Sequence, residues 1–279
     1  MEPTYIIKSS GEREAWDPRK LERSLRAAMA DGETAQEIIL HITKDVRDGM
    51  STNDIYDHAF TLLKRRSRPA AAQYSLKRAI TQLGPSGFPF ERFVAHILKA
   101  QGYHTKVGVM VRGVCVTHEV DVVAEKDDER ILVEAKFHNS PDIKSDVKVS
   151  LYVYARFMDI EKRLDEEDGG KHFNHAWLIT NTSFTSEAIR YGNCVGLALT
   201  GWNYPKGYTL QDLVQKTQTH PITCLTTLSS TNKTQLLREG VVLCSDIIAN
   251  PKVLEEIGMS PTRAATTHNE ARKLSTFVL

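Results

Sequence analysis

Residues 116–139, VTHEVDVVAEKDDERILVEAKFHN, decide the fold of the central part of this chain. This stretch holds two short apolar runs, residues 120–124 and 131–137, joined by a charged segment. Two apolar runs around a polar turn predict a β-hairpin. Each predicted strand also carries an acidic residue, Asp121 or Glu134, where a buried strand ordinarily has none. The two acids therefore need a separate explanation.

The alternation of side chains along a strand suggests one. Glu134 and Lys136 share one face of the second strand, while the apolar residues between them share the other. A hairpin also brings Asp121 of the first strand beside Glu134. An acidic pair and a lysine on rigid strands predict a Mg²⁺ site with a cation next to the attacking water.

This arrangement suits phosphodiester hydrolysis, which needs a nucleophilic water and a counter-charge for the transition state. Asp121 and Glu134 are the predicted metal ligands, with the carbonyl of Ala135 as a third. Lys136 is predicted to orient the water, and Glu91 to reach the metal from a preceding helix. The alternative is that Glu134 and Lys136 form only a surface ion pair, which contributes little to stability.

The segments around the hairpin predict a mixed sheet flanked by helices. A long helix after Pro141 is predicted to have an apolar face of Val147, Leu151, Tyr154 and Met158. The other predicted segments are a helix at residues 90–100, strands at 103–111, 114–116, 176–180 and 195–200, and a helix at 185–191.

Four blocks within residues 87–202 resemble the Mrr-like branch of the PD-(D/E)xK nucleases. They are FERFVAHILKAQGY, HEVDVVA, ILVEAKFHN and AWLITNTSFTSEAIRYG. The resemblance implies a restriction endonuclease-like fold and DNA hydrolysis that depends on Mg²⁺ or Mn²⁺. It places the metal-binding acids on Asp121 and Glu134, the lysine on Lys136 and the helix acid on Glu91. Val120 stands where some members of this superfamily have proline.

The first 84 residues predict a separate small α+β unit. Two short strands at residues 4–8 and 14–16 are followed by a helix that begins at Asp17 and Pro18, a favoured N-cap and first-turn pair. A second helix runs through residues 38–46. Ser51 to Asp54 resemble a capping box that opens a third helix, and a fourth is predicted at residues 70–83.

This unit resembles the ATP-cone, a nucleotide-sensing domain, through IIKSSGEREAWDPRKL, STNDI and AAAQYSLKRAI. The resemblance implies that ATP or dATP binds as a regulatory ligand. Ser9 replaces the arginine of the family, which removes one bidentate phosphate contact. The alternative is a dimerisation unit whose lysines are only solvated surface cations. The implied nucleotide-binding residues are Lys8, Gly11, Glu14, Asp17, Lys20 and Thr52.

The last part of the chain, residues 216–279, predicts four short helices at 231–238, 244–249, 251–257 and 262–274. Glycine-containing turns separate them, and the pattern resembles a helix-hairpin-helix module, in which turn amides contact a phosphate. Its basic content is modest, so DNA binding and protein contact both remain open for this module.

Composition limits the possible partners. The 279 residues carry a net charge of +1, so DNA affinity must come from a local basic face. Four scattered cysteines without a CxxC pair argue against a zinc ribbon or a disulfide framework, and we expect them to be small core residues. No window approaches the ~20 apolar residues of a membrane span, so we expect no membrane partner and a cytoplasmic location.

Together these patterns predict an α/β multidomain chain with a nucleotide-binding domain at residues 1–84, a nuclease domain at 85–215 and a helical module at 216–279. The predicted function is a nucleotide-regulated, Mg²⁺-dependent DNA endonuclease of a restriction, defence or repair type. We expect a homo-oligomer, a dimer or higher, because one site cuts one strand. The alternative is a nucleotide-sensing DNA-binding regulator whose nuclease fold is not catalytic.

Overall fold

The computed structural model describes residues 4–8, 10–28, 30–166 and 171–275. Its N-terminal region forms a three-stranded sheet, in the order β2-β1-β3, beside five helices. The elements are β1 (Tyr5–Ile7), β2 (Arg13–Ala15), α1 (Pro18–Ala27), α2 (Gly32–Asp45), β3 (Met50–Ser51), α3 (Thr52–Arg66), α4 (Arg68–Tyr74) and α5 (Leu76–Thr81).

The structure confirms the helix caps that the sequence predicted in this region. Asp17 caps α1 by accepting the amide of Arg19, and Ser51 and Asp54 form a reciprocal capping box at the start of α3. Two predictions were incomplete. The predicted hairpin has a third strand, β3, which pairs in parallel with β1. The helix predicted at residues 70–83 is instead two helices, α4 and α5, which meet at Ser75.

The central region is a five-stranded mixed sheet with helices on both faces, as predicted, in the order β10-β8-β6-β5-β4. Strands β4, β5 and β6 are antiparallel, while β8 and β10 run parallel to β6 and to each other. The elements are α6 (Phe88–Ala100), β4 (His104–Arg112), β5 (Thr117–Lys126), β6 (Glu129–Lys136), β7 (Lys144–Ser145), α7 (Val147–Glu166), β8 (His175–Thr180), β9 (Ser183–Phe184), α8 (Ser186–Val195), β10 (Ala198–Thr200) and α9 (Leu210–Thr217).

Strand β6 shows why this sheet is buried on both faces. Val133 and Ala135 lie in a core formed with α6 and α9, whereas Leu132 lies in a second core formed with α7 and α8. Strand β8 alternates in the same way, so the middle of the sheet is covered by helices on each side.

Some local predictions for this region were wrong. Residues 114–116 form the connection between β4 and β5 rather than a strand, because β5 begins at Thr117. Helix α7 begins at Val147, after the short strand β7, instead of directly after Pro141. Leu151 and Met158 are exposed, since the buried face of α7 runs through Val153 and Ile160. The apolar face predicted for α7 is therefore not the face that packs against the sheet.

The C-terminal region is helical, as predicted. Its four α-helices are α10 (Ser230–Arg238), α11 (Cys244–Ala249), α12 (Val253–Glu256) and α13 (Pro261–Ser275). Leu236 and Leu254 of this region pack in one continuous core with Leu76 of α5 and Phe90 of α6. The domain boundaries at residues 84 and 215 stay a prediction, and this core crosses both of them. Cys224 and Cys244 are buried as expected, but Cys115 and Cys194 are exposed.

The lengths and compositions of the helices bear on the predicted absence of a membrane partner. Across the part of the chain that it describes, none of the helices combines the length and the apolar character that crossing a bilayer requires.

Candidate active site

The predicted acids meet where the ladder between β5 and β6 ends. Its last pair at this end is Val122 with Val133, and the next residues along the two strands are Asp121 and Glu134. Oδ2 of Asp121 accepts the backbone amide of Ala135 at 2.8 Å, so the carboxylate takes the place of a ladder carbonyl. Tertiary structure therefore joins residues 121 and 134 as the hairpin predicted.

Strand β5 is irregular at Asp121, which explains how an acid enters an apolar strand. The pairing of β4 with β5 skips Gly108 opposite Asp121, and Gly108 has a positive φ of 64° that favours glycine. Val122 lies in the core beside α6, yet Val120 lies in the core beside α7. Residues two apart on a regular strand share a face, so the faces of β5 exchange across Asp121.

Glu134 is buried, with 7% of its surface exposed, and both of its oxygens have partners on α7. Oε1 accepts the hydroxyl of Tyr152 at 2.7 Å, and Oε2 forms an ion pair with Arg156. A carboxylate has about four lone-pair sites, so one donor on each oxygen leaves room for a metal ion. The two α7 side chains thus fix the orientation of Glu134 without saturating it.

The acids repel one another. Burial, and then the charge of Glu134, raise the pKa of Asp121 to about 7, although the Ala135 amide opposes the shift. Burial raises the pKa of Glu91 on α6, with smaller contributions from Glu119 and then Glu134. The charges of Glu134 and Glu91 both raise the pKa of Asp121, so the three predicted acids act on one another, and Glu119 acts on Glu91 in the same way. Carboxylates that repel one another are stabilised by a cation, which is the fit expected of a divalent metal site.

Lys136 lies at the end of β6, half-buried and paired in the ladder with Thr180. Its side-chain ammonium group makes no hydrogen bond or ion pair with any residue that the structure describes. After burial, its charge is the next cause that lowers the pKa of His138. His138 itself contacts Ser145 at 2.9 Å, and His118 contacts Asp159 at 2.7 Å. Each histidine thus has its own polar partner.

Sequence reasoning missed three residues of this site. Tyr152 and Arg156 had no predicted role in the site, although their spacing of four places them on one side of a helix. Their approach to Glu134 depends on how α7 docks on the sheet. The charge of Glu119 acts on Glu91 across the irregular part of β5, which the sequence signals weakly through Gly108 in the neighbouring strand.

A second cluster forms at the hairpin of the N-terminal region. Glu14 on β2 makes ion pairs with Lys8, at 2.7 Å, and with Lys20 on α1. These lysines, Lys20 first, lower the pKa of Glu14 to about 2. Lys8 also pairs with Glu12 at 3.0 Å. Three of the predicted nucleotide-binding residues therefore converge, and their charges are largely satisfied by one another.

The backbone places the other predicted nucleotide-binding residues near this cluster. Gly11 occupies the β1–β2 turn with a φ of 83°, a left-handed conformation that glycine adopts without strain. The parallel pairing of Ile7 with Ser51 brings Thr52 close to Lys8 in the sheet. The carboxylate of Asp17 already caps α1. Ser9 lies outside the described residues.

Family models match three consecutive parts of the chain. Residues 4–82 match the ATP cone domain, residues 84–200 match a restriction endonuclease domain, and residues 220–275 match the family described as AF1548-like, C-terminal. The first two matches confirm both resemblances drawn from the sequence motifs. The third covers the C-terminal helices, whose resemblance to a helix-hairpin-helix module stays a prediction.

One relative of known sequence and one solved structure are also similar to this chain. An uncharacterized protein of Archaeoglobus fulgidus is 40% identical over 182 residues, which cover 65% of this chain and 99% of the relative. The crystal structure of the protein of unknown function AF1548 is 39% identical, covers 68% of this chain and 98% of its own, and superposes with a TM-score of 0.55. The relatives therefore correspond to about two thirds of this chain.

Proposed function

We propose a function for this chain, which belongs to the AF1548-like family and carries ATP cone and restriction endonuclease domains. It is a Mg²⁺-dependent DNA endonuclease that an adenine nucleotide regulates through the N-terminal domain. The observation that carries the proposal is the meeting of Asp121 and Glu134 at the end of the β5–β6 ladder, with Lys136 on the same strand as Glu134.

Asp121 and Glu134 would hold Mg²⁺ or Mn²⁺ together with the carbonyl of Ala135. The amide of Ala135 points at Asp121, and in an antiparallel ladder the amide and carbonyl of one residue face the same neighbouring strand. Carboxylate and carbonyl oxygens are the ligands that Mg²⁺ prefers. When bound, the metal lowers the pKa of a coordinated water and offsets the charge that develops on the phosphate.

Lys136 holds and orients the attacking water. It has no competing partner among the described residues, so its ammonium group is available to a water or to a phosphate oxygen. Glu91 lies across the cluster on α6 and, because burial raises its pKa, is suited to accept and pass on a proton. Tyr152 and Arg156 are positioning residues, since they touch Glu134 rather than the substrate.

The regulatory ligand is ATP or dATP at the cluster of Lys8, Glu14 and Lys20. An anionic phosphate chain would compete with Glu14 for the two lysines, so nucleotide binding exchanges one set of ion pairs for another. Gly11, Asp17 and Thr52 line the same hairpin. Because one active site cuts one strand, we propose that the enzyme acts on duplex DNA as a dimer or a higher homo-oligomer.

The test is cleavage of plasmid and branched DNA with Mg²⁺, with and without ATP or dATP. The wild type is compared with Asp121→Ala and Lys136→Ala, and Lys144→Ala serves as a matched control because Lys144 is an exposed lysine near the site. We expect cleavage in the wild type and the control, and none in the two site variants.

The same experiment separates this function from its rival. If both site variants cut DNA as well as the wild type, the assignment of Asp121 and Lys136 is wrong. If the wild type binds DNA but cleaves none of the substrates with any nucleotide, the chain is a nucleotide-sensing regulator with a non-catalytic nuclease fold.

A further inference from the structure

Three potential metal ligands converge between helices α2 and α3 of the N-terminal region. His41 and Asp45 lie one turn apart on α2, and His58 faces them from α3. Nε2 of His41 is 3.4 Å from Oδ2 of Asp45, and Nε2 of His58 is 3.9 Å from the same oxygen. All three ligand atoms lie within 4.8 Å of one another.

These side chains do not form a hydrogen-bonded network. A distance of 3.9 Å is too long for a hydrogen bond, and 3.4 Å is at the edge of the range. The two imidazole rings stand edge to face with centroids 5.1 Å apart, rather than stacking. The three groups therefore point at a common space more than at one another, which is how ligands are arranged around an ion.

The backbone that carries them is rigid. Helices α2 and α3 form an antiparallel pair over a core that includes Ile42 and Ala59. The ion pair of Glu37 with Arg66, at 2.7 Å, crosses the same two helices about two turns away. Since packing fixes the helices, the ligand positions are set by the fold, and only side-chain rotations are needed to close the site.

We propose that His41, Asp45 and His58 form a binding site for Zn²⁺ or a similar transition-metal ion. Tetrahedral Zn²⁺ has bonds of about 2.1 Å to imidazole nitrogen and carboxylate oxygen, which sets its ligand atoms about 3.4 Å apart. The first distance already meets this requirement, and the second is longer by a few tenths of an ångström. Three protein ligands leave one coordination position for water.

The bound ion joins α2 to α3. Helix α3 begins at Thr52, beside the cluster of Lys8, Glu14 and Lys20. An ion that joins α2 to α3 therefore stabilises the helix that borders this cluster. This site is separate from the acids of the central sheet, which offer only oxygen ligands and suit Mg²⁺. The proposal therefore does not depend on whether the chain cleaves DNA.

The experiment measures Zn²⁺ binding to the full chain by calorimetry, in a buffer with excess Mg²⁺ to fill the oxygen site. The wild type is compared with His41→Ala and with His58→Ala. All three ligands are at least partly exposed, so these variants should fold, and His58→Gln provides a more conservative second variant. We expect the wild type to bind one more equivalent of Zn²⁺ than each of these three variants.

Two control variants test whether the loss is specific. Glu33→Gln removes an exposed acid from α2, and His172→Ala removes a histidine that lies beside Glu161 and Asp165 on α7. Both should keep the full stoichiometry. With Co²⁺ as the probe, the wild type and the controls should show the intense visible bands of a nitrogen-ligated tetrahedral ion, and the His41 and His58 variants should lose them.

Equal Zn²⁺ stoichiometry and equal Co²⁺ spectra in the wild type and the His58 variants would overturn the proposal. Loss of the same equivalent in the Glu33 control would also overturn it, because Glu33 supplies no ligand and forms no ion pair with the described residues of α3.

Discussion

The two clusters of this chain use the same carboxylate chemistry in opposite ways. Asp121 is surrounded by other acids and by apolar strands, so its pKa rises to about 7. Glu14 lies between two lysines at the surface, so its pKa falls to about 2. In the first cluster the mutual repulsion of the acids outweighs the charge of Arg156, so it fits an added cation. The second cluster is nearly neutral and has to give up internal pairs when an anion binds.

The largest effect is expected from removing a proposed metal ligand from the central cluster. Because a bound metal supplies several kcal/mol of transition-state stabilisation, we expect Asp121→Asn to lower Mg²⁺-dependent cleavage by at least about 1000-fold. The measurement is single-turnover cleavage of a labelled duplex. Lys144→Ala should cut at the wild-type rate, and cleavage by Asp121→Asn at that rate would show that the metal binds elsewhere.

The same variant should stabilise the metal-free protein at high pH. Asp121 binds its proton more tightly in the folded chain than in the unfolded chain, so its contribution to stability is favourable at low pH and is lost as the pH rises to about 7. The shift from 3.8 to about 7 corresponds to an upper value of roughly 4 kcal/mol. We expect Asp121→Asn in EDTA to gain stability over the wild type between pH 4 and pH 8.

Urea denaturation at pH 4 and pH 8 measures this difference in the free energy of unfolding. At pH 8, Mg²⁺ should restore the stability of the wild type, because it binds the folded chain. Glu14→Gln is the contrasting variant, because the pKa of Glu14 is lowered. The advantage of wild type over this variant is present above pH 4.5 and disappears as the pH falls towards 2. A stability difference for Asp121→Asn that does not change with pH would contradict the proposed repulsion.

A smaller effect should follow from removing the side chains of α7 that hold Glu134 in place. Partners of metal ligands typically contribute 10–100-fold to activity, so we expect Arg156→Ala to lower cleavage by about 10- to 100-fold and Tyr152→Phe by about 10-fold. The Mg²⁺ concentration for half-maximal rate should rise in both. Tyr154→Phe is the matched control, since Tyr154 packs on Phe157 and Tyr191 instead. Faster cleavage by Arg156→Ala would mean that Arg156 competes with the metal for Glu134.

The smallest effect is expected at the nucleotide cluster. A hydrogen bond to a charged group contributes about 1.5–3 kcal/mol, so Lys20→Ala should weaken ATP binding by roughly 10-fold or more. Fluorescence titration with a labelled ATP analogue measures the affinity. Lys44→Ala removes an exposed lysine at the end of α2 and should bind ATP as the wild type does. Equal affinity in both variants would place the nucleotide away from Lys20.

Much of the fold could be predicted because its signals are local. The cap at Asp17, the capping box at Ser51 and the apolar runs of β5 and β6 each depend on neighbouring residues in the chain. The burial of α7 could not be predicted in the same way. Leu151 and Met158 have helical spacing, but α7 has apolar residues on more than one side, and its docking on the sheet selected Val153 and Ile160.

The sequence by itself predicted the domains of this protein and the residues of its candidate site. The residues Asp121, Glu134, Lys136 and Glu91 are recognisable because charges within apolar strands and on an amphipathic helix are unusual, and the ATP cone motif is equally local. Tertiary structure decided how the site is arranged. It brought Tyr152 and Arg156 to Glu134, exchanged the faces of β5 at Asp121, and set His41, Asp45 and His58 around one space. These contacts join residues on different elements, and their distances depend on packing that no local pattern encodes.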